Sequence, residues 1–335
     1  MARRGIYPIF IPHMGCPNAC VFCDQRRISG SPSPASGDTV TEALKQARAD
    51  GLRGLELALY GGSFTAIPAA AQEALLGAAQ PYLADGTLSG IRLSTRPDAI
   101  DEPVLKRLRR FGVGTVELGA QSMDDRVLTV SGRGHTAADT RRAARLLQDA
   151  GFSLVLQMMT GLPGSDAAAD IETARQLIAL HPDGARVYPT VIVRGTELEA
   201  LWRAGAYREH TVEDAVAVCA EILPLFEAAG IPVIRLGLNP TEELSGGAVV
   251  GGAYHPALGE LVRSEILLRQ ARGALFGVPA GAAVTLSVHP KRVSMMTGQH
   301  RRNIAILTAE FSLSSLRVRP DPDAGETIKA AWLCA

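Results

Sequence analysis

Apolar strand-like runs at 7–12, 55–60, 91–95, 113–119, 153–159 and 185–193 alternate with helical stretches near 39–50, 68–83, 101–110, 137–150 and 166–180. That alternation predicts an α/β fold on a parallel sheet with helices outside it. Helix limits agree, because several stretches begin after Thr, Asp or Pro and one ends at Ala150-Gly151, where glycine permits the turn that stops a helix. Size agrees too: 335 residues, 47% hydrophobic and 20% charged, make one large domain or one plus an appendage. Six βα units satisfy either an open doubly wound sheet or a barrel, and both place their sites at the carboxyl ends of the strands. Further on, 211–229 reads as a helix, 231–238 as one more strand, 244–255 as a Gly-rich run and 257–272 as a long helix.

Composition narrows the function classes. Lys plus Arg and Asp plus Glu both number 34, so global charge gives no argument for nucleic acid or membrane. No uninterrupted apolar stretch is long enough to cross a bilayer. Arg3-Arg4 before an apolar run has the superficial form of an export signal, but Pro8, Pro12 and His13 interrupt that run, which favours a mature strand. Five cysteines, an odd number, argue against a disulfide framework in a chain able to bury its own core. Cys219 and Cys334 have no partner at motif spacing and read as buried thiols.

The chemistry begins directly after the first strand, where Cys16, Cys20 and Cys23 stand in Gly-Cys-Pro-Asn-Ala-Cys-Val-Phe-Cys. Three thiolates on one tight loop can ligate three irons of a cubane and leave the fourth iron open to a small molecule. The competing reading is zinc, which wants a fourth N or S ligand from His13 or a remote residue such as Cys219. Each later strand also ends on polar or glycine-rich residues. After the second strand comes Tyr60-Gly61-Gly62-Ser63-Phe64-Thr65, whose glycines let backbone approach a ligand or simply form a βα turn. After the third comes Ser94-Thr95-Arg96-Pro97-Asp98, with Arg96 suited to a carboxylate and Asp98 to a helix cap or a ligand contact. The fourth ends in Glu117-Leu118-Gly119-Ala120-Gln121-Ser122, followed by Arg133-Gly134-His135-Thr136. Gln157-Met158-Met159-Thr160-Gly161-Leu162-Pro163-Gly164 closes the fifth.

The C-x3-C-x2-C run with an aromatic before its last cysteine resembles the signature of radical S-adenosylmethionine (SAM) enzymes. That resemblance implies a [4Fe-4S] cluster on Cys16, Cys20 and Cys23, with SAM on the open iron and cleaved to a 5′-deoxyadenosyl radical. It resolves the fold to a partial (β/α)6 TIM-type barrel, the radical SAM core over 1–240, with a C-terminal α/β extension over 241–335. The strand-end elements are similar to those of the Elongator subunit 3 (Elp3) type and the oxygen-independent coproporphyrinogen oxidase group. By that likeness Gly61, Gly62 and Ser63 meet the methionine amino group, Arg96 the carboxylate, and Gln121 and Arg133 the ribose or carboxylate. Gln157, Gly161 and Leu162 belong to the adenine element, with Phe22 beside the adenine. Arg186-Val187-Tyr188-Pro189-Thr190, then Arg194-Gly195-Thr196, is likewise Elp3-like. The chain resembles short bacterial Elp3-type proteins without the acetyltransferase domain.

The resemblance implies a cytoplasmic enzyme acting on tRNA or another RNA, with a reducing partner such as flavodoxin or ferredoxin and no membrane. A small-metabolite enzyme and a cluster-bearing binding or regulatory protein are the alternatives. Free cysteines and an oxygen-labile cluster fit a reducing cytoplasm. The Gly-rich run, with Glu242, Glu243 and His255 nearby, reads as a substrate lid or a plain connection. No acidic residue lies between Glu265 and Glu310, whereas Arg269, Arg272, Lys291, Arg292, Arg301 and Arg302 are basic and accompanied by His289 and His300. Such a tail is a footprint for phosphate-bearing partners, or else a solvated or acid-paired face.

Overall fold

The computed structural model describes residues 5–11, 16, 20–24, 35–239 and 244–333. They form two compact units, the first running to Ala215 and including Ile222–Pro256, the second made of Val216–Glu221 and the residues from Ala257 onward.

In the first unit strands and helices alternate as β1 (Ile6–Phe10), α1 (Gly37–Ala49), β2 (Leu55–Tyr60), α2 (Ala69–Ala84), β3 (Leu88–Thr95), α3 (Glu102–Arg110) and β4 (Val113–Gln121). Then follow α4 (Asp125–Val130), α5 (Ala137–Asp149), β5 (Ser153–Thr160), α6 (Ala167–Ile178), β6 (Gly184–Pro189), β7 (Val191–Val193), α7 (Glu197–Arg203), α8 (Val212–Ala228), β8 (Val233–Leu236) and β9 (Val249–Gly252). The helix starts have local causes. Thr136 and Thr211 form capping boxes with Asp139 and Asp214, and Asp101 and Asp166 accept from Val104 N and Ala169 N.

The main sheet has seven parallel strands in the order β1-β2-β3-β4-β5-β6-β8. It is one strand wider than the six-unit expectation, because Ala185 pairs with Val233 and brings the 231–238 segment into the same sheet. The sheet is curled. In a flat sheet β2 and β6 would stand roughly 19 Å apart across four strand spacings, yet Arg186 Nη2 on β6 donates to the Tyr60 hydroxyl on β2 at 2.9 Å. The side chains between them fill the concave side of a half-barrel.

Two segments depart from the sequence reading. The run expected as one strand over 185–193 divides at Thr190, where Pro189 has no N–H for the ladder and Thr190 bonds through N and Oγ1 to Thr160 O. Beyond it β7 pairs antiparallel with β9, so the Gly-rich run is a paired ribbon there rather than a free lid or connection. Gly252 makes that pairing: at φ +85° a Cβ would stand 2.8 Å from Thr190 O. Glu242 and Glu243 lie outside the described residues.

The second unit contains α9 (Leu258–Ala274), β10 (Ala283–Val288), α10 (Val293–Thr297), α11 (Arg302–Glu310), β11 (Ser315–Pro320) and β12 (Lys329–Leu333). Its sheet has the order β11-β10-β12, with β11 parallel and β12 antiparallel to the central strand. Val284, Leu286 and Leu316 point to one side, into a core with Leu267, Leu275 and Leu307. No helix among the described residues is long and apolar enough to cross a membrane.

Candidate active site

At the carboxyl ends of the half-barrel strands a cavity of about 820 Å³ opens, and Cys16, Cys20, Cys23 and Phe22 line it together. The loop is fixed by backbone bonds rather than by its own regularity. Val21 N donates to Ser131 O, Val21 O accepts from Leu198 N, and Cys23 N bonds to Cys20 O. Phe22 is wedged against Met159 and Leu162 on one side and Ile192, Leu198 and Tyr207 on the other. Cys16 Sγ lies 3.5 Å from Ser63 Oγ, and Arg133 Nη1 donates to Cys20 Sγ at 3.3 Å. The latter places a guanidinium group against the Cys20 sulfur.

Most of the strand-end residues singled out from sequence meet in this cavity: Gly61, Gly62, Ser63, Arg96, Gln121, Arg133 and Gln157. The structure gives them unequal parts. Arg96 is 2% exposed and largely occupied, with Nε donating to Asp98 Oδ1 and Nη2 to Arg133 O. It therefore holds Arg133, whose Nη2 donates to Gly119 O. Asp98 takes the Arg96 bond and caps no helix through its side chain. Gln121 sits at a register shift of the β4–β5 pairing with φ +64°, a costly conformation for a residue with a Cβ. Its Oε1 accepts from Gln157 Nε2 at 3.0 Å, so the bulge aims one amide at another across the cavity wall.

Gly161 and Leu162 do not line the cavity. Leu162 is buried under Phe22. Gly161, at φ +71°, has the His210 ring where a Cβ would stand, donates its N–H to Asp170 Oδ2 and accepts from the Tyr207 hydroxyl. Ser165 Oγ donates to the other Asp170 oxygen, and Thr160 Oγ1 meets His210 Nε2 at 3.1 Å. Burial pushes the Asp170 carboxyl up to about 6 although both hydrogen bonds oppose it. His135, buried beside Arg133, is pushed down to about 4 by burial first and by that cation second, and its Nε2 lies 3.2 Å from Ala120 O.

Deeper in the half-barrel lies a charged layer that the sequence reading passed over. Glu117, 4% exposed, accepts from the Tyr60 hydroxyl at 2.7 Å, Arg92 Nη1 at 2.9 Å and Arg186 Nε at 2.7 Å. Arg92 also pairs with Glu56, and Arg186 Nη1 donates to the Tyr188 hydroxyl. Burial, then the Glu117 charge, holds the Tyr60 hydroxyl well above the usual phenol range. The signal was available: Arg92, Glu117 and Arg186 are charges in the middle of strands buried on both faces, where a charge needs a partner. Arg235 on β8 faces the same cavity, but its guanidinium donates only to the carbonyls of Gly237 and Leu238, with no carboxylate partner among the described residues.

The family model of the Radical SAM superfamily matches residues 10–177, and that of the Radical_SAM C-terminal domain matches 182–267. The chain belongs to the radical SAM superfamily. Members of that superfamily are enzymes that use a [4Fe-4S] cluster and SAM, and this chain is a radical SAM enzyme by family. It is 30% identical over 176 residues to a tRNA uridine(34) acetyltransferase of Methanocaldococcus jannaschii, covering 51% of this chain and 31% of that one. To Elongator complex protein 3 of Homo sapiens it is 36% identical over 139 residues, covering 41% and 25%. The chain thus spans less than a third of these curated relatives. The solved structure of an archaeal Methanocaldococcus infernus Elp3 superposes with a TM-score of 0.63 at 22% identity, over 81% of this chain and 64% of the other, a likeness of fold.

The donor set fits the cofactors of the radical SAM family. Three thiols share one cavity wall, the donor type that holds iron–sulfur clusters. The alternative zinc ligand His13 and the thiol of Cys334 lie outside the described residues, while Cys219 is fully buried on α8.

Two predictions follow from the buried charges. Glu117→Gln leaves Arg186 and Arg92 short of a counter-charge and is expected to cost about 3–5 kcal/mol in denaturant unfolding. Adding Arg186→Met should then cost less than the two single effects combined; strict additivity would show the pair to be energetically uncoupled. The second concerns Asp170, whose carboxyl is raised in the folded state, so its contribution to stability is greatest below about pH 4 and is lost as pH rises to about 6. Asp170→Asn should remove that loss, on the order of 3 kcal/mol between pH 4 and pH 7, and parallel stability curves for parent and variant would refute the assignment.

Proposed function

We propose that this radical SAM enzyme holds its cluster on Cys16, Cys20 and Cys23, cleaves SAM reductively there, and uses the resulting radical on an RNA substrate. The observation that carries the proposal is the convergence of the three thiols with Gly61, Gly62, Ser63, Gln121 and Arg133 on one cavity. Bound there, cluster and SAM supply a carbon-centred radical able to take a hydrogen atom from an unactivated C–H bond.

The chain's own residues position and shield that chemistry. Ser63 Oγ and the cavity-lining backbone of Gly61-Gly62 suit the amino group of SAM, while Arg133 and the remaining Arg96 nitrogen suit its carboxylate. The Gln121–Gln157 amide pair offers donors and acceptors for ribose or adenine. Phe22 packs over Leu162 and sets the wall beside the adenine position, with Gly161 held behind it by Asp170 and Tyr207. Met159 and Phe22 give the cavity apolar surface that limits water around a reactive carbon.

RNA is favoured as substrate by the matched relatives that modify tRNA and by positive charge without a carboxylate partner among the described residues, including Arg235 in the cavity wall. Acetyl transfer is not part of the proposal, since the shared region is the radical SAM part. A reducing partner of the flavodoxin or ferredoxin class would feed the cluster, and the thiol-borne cluster suits the cytoplasm.

Anaerobic reconstitution tests the proposal. Iron should reach about four per chain with a cubane spectrum, and Cys16→Ala, Cys20→Ala or Cys23→Ala should each abolish it while Cys219→Ala leaves it intact. With dithionite and SAM the parent should release 5′-deoxyadenosine, faster when total tRNA is added. Stoichiometric zinc without a cubane spectrum would overturn the cluster assignment, and a rate indifferent to tRNA would move the substrate to a small metabolite.

A further inference from the structure

The second unit holds two sets of basic residues that the sequence does not distinguish. Arg269 pairs with Glu265 at 3.0 Å and Glu221 at 3.5 Å, Arg272 with Glu310 at 3.0 Å, Arg292 with Glu326, and Lys329 with Asp321 at 3.0 Å. These are neutralised within the unit. Lys291, Arg301, Arg302, Arg317 and Arg319 are exposed and have no carboxylate in ion-pair contact among the described residues. Asp321, whose charge is felt by Arg319, is already bonded to Lys329 and to the Asp323 amide.

Topology gathers the uncompensated set. Because β10 and β11 are parallel, the chain leaves β10 at Val288, passes through α10 and α11, and must return to the start of β11. Lys291, Arg301 and Arg302 therefore lie at the carboxyl-end side of the two strands. Arg317 and Arg319 alternate with buried Leu316 and half-buried Val318, so they project from the sheet face opposite the core, in register with Thr285 and Ser287. The segment before α11 is held in a defined shape: Gly298 at φ +75° packs against Asn303, whose buried amide donates to Ser264 and Met295.

We infer that this open sheet face and the adjoining strand ends form a docking surface for the phosphate backbone of RNA. The surface offers guanidinium forks that match phosphate oxygens and central-strand hydroxyls that can donate to them, while Asp321, just past β11, is bonded to Lys329. It rests on the RNA reading proposed above and adds to it the place where the backbone is held. Pairing is the deciding property. An arginine already neutralised by glutamate releases no phosphate counterion on binding, whereas an uncompensated one does.

The test compares equal charge changes in the full-length protein. Binding of labelled total tRNA is measured from about 50 to 300 mM KCl for the parent, for R301Q/R302Q/R319Q and for R269Q/R272Q/R292Q. The first variant should lower the slope of log affinity against log salt by about 2–3, at about 0.7–0.9 per lost phosphate contact, while the second changes it by less than about 1. Circular dichroism and iron content verify that each variant is folded, and ultraviolet crosslinking of the parent should place tRNA on peptides spanning 285–319. Equal slopes for the two variants, or crosslinks confined to other peptides, with the parent still binding tRNA, would overturn the surface and leave the RNA reading standing. No tRNA binding by the parent at 50 mM would overturn both.

Discussion

Glu117 is the carboxylate around which the half-barrel is built. Four strands contribute to its surroundings: β4 carries it, and β2, β3 and β6 send Tyr60, Arg92 and Arg186 to it. A buried carboxylate is costly unless every lone pair finds a donor, and here the donors come from strands that a flat sheet would keep far apart. The same layer brings Arg186 of β6 to Tyr60 of β2 across four strand spacings, a contact that goes with the curl. A hydrophobic layer of similar volume would stabilise the interior with less directional demand on which strands must meet.

Above that layer the site is held by residues that reach it indirectly. Arg96 fixes the backbone of Arg133, Arg133 reaches both Gly119 and Cys20, and the bulge before Gln121 aims its amide at Gln157. On the far side Asp170, Tyr207 and His210 surround Gly161, which is fixed at its N–H, its carbonyl and the space where a Cβ would be. Several groups that face the cavity thus have a partner that limits their freedom, as Arg133 does in Gly119 and Gln157 in Gln121.

Charge in the second unit obeys a related logic with the opposite outcome. Paired arginines there lie beside acidic residues brought close by the fold, whereas Arg317 and Arg319 lie on a small sheet whose other face is packed and Lys291, Arg301 and Arg302 in the connection after β10. A sequence free of acids between Glu265 and Glu310 looks uniformly basic, but the neutralising carboxylates Glu221, Glu265, Glu310 and Glu326 flank that stretch or come from another helix.

The sequence by itself determined the βα alternation of the first unit, the limits of the helices it singled out to within about two residues, and the order of chemical elements at consecutive strand ends, because capping residues, apolar periodicity and the cysteine spacing are local properties of the chain. The helices at 125–130, 197–203, 293–297 and 302–310 were not read from it. It also singled out Cys16, Cys20, Cys23, Gly61, Gly62, Ser63, Gln121, Arg133 and Gln157, which the structure brings to one cavity. Only the tertiary structure decided that the sheet has a seventh strand, that the Gly-rich run pairs with β7, and that Gly161 and Leu162 support the cavity from behind. Only it could place Glu117 among its partners or divide free cations from paired ones. Those features depend on distances between residues remote in sequence, and a local pattern carries no information about which charge will meet which.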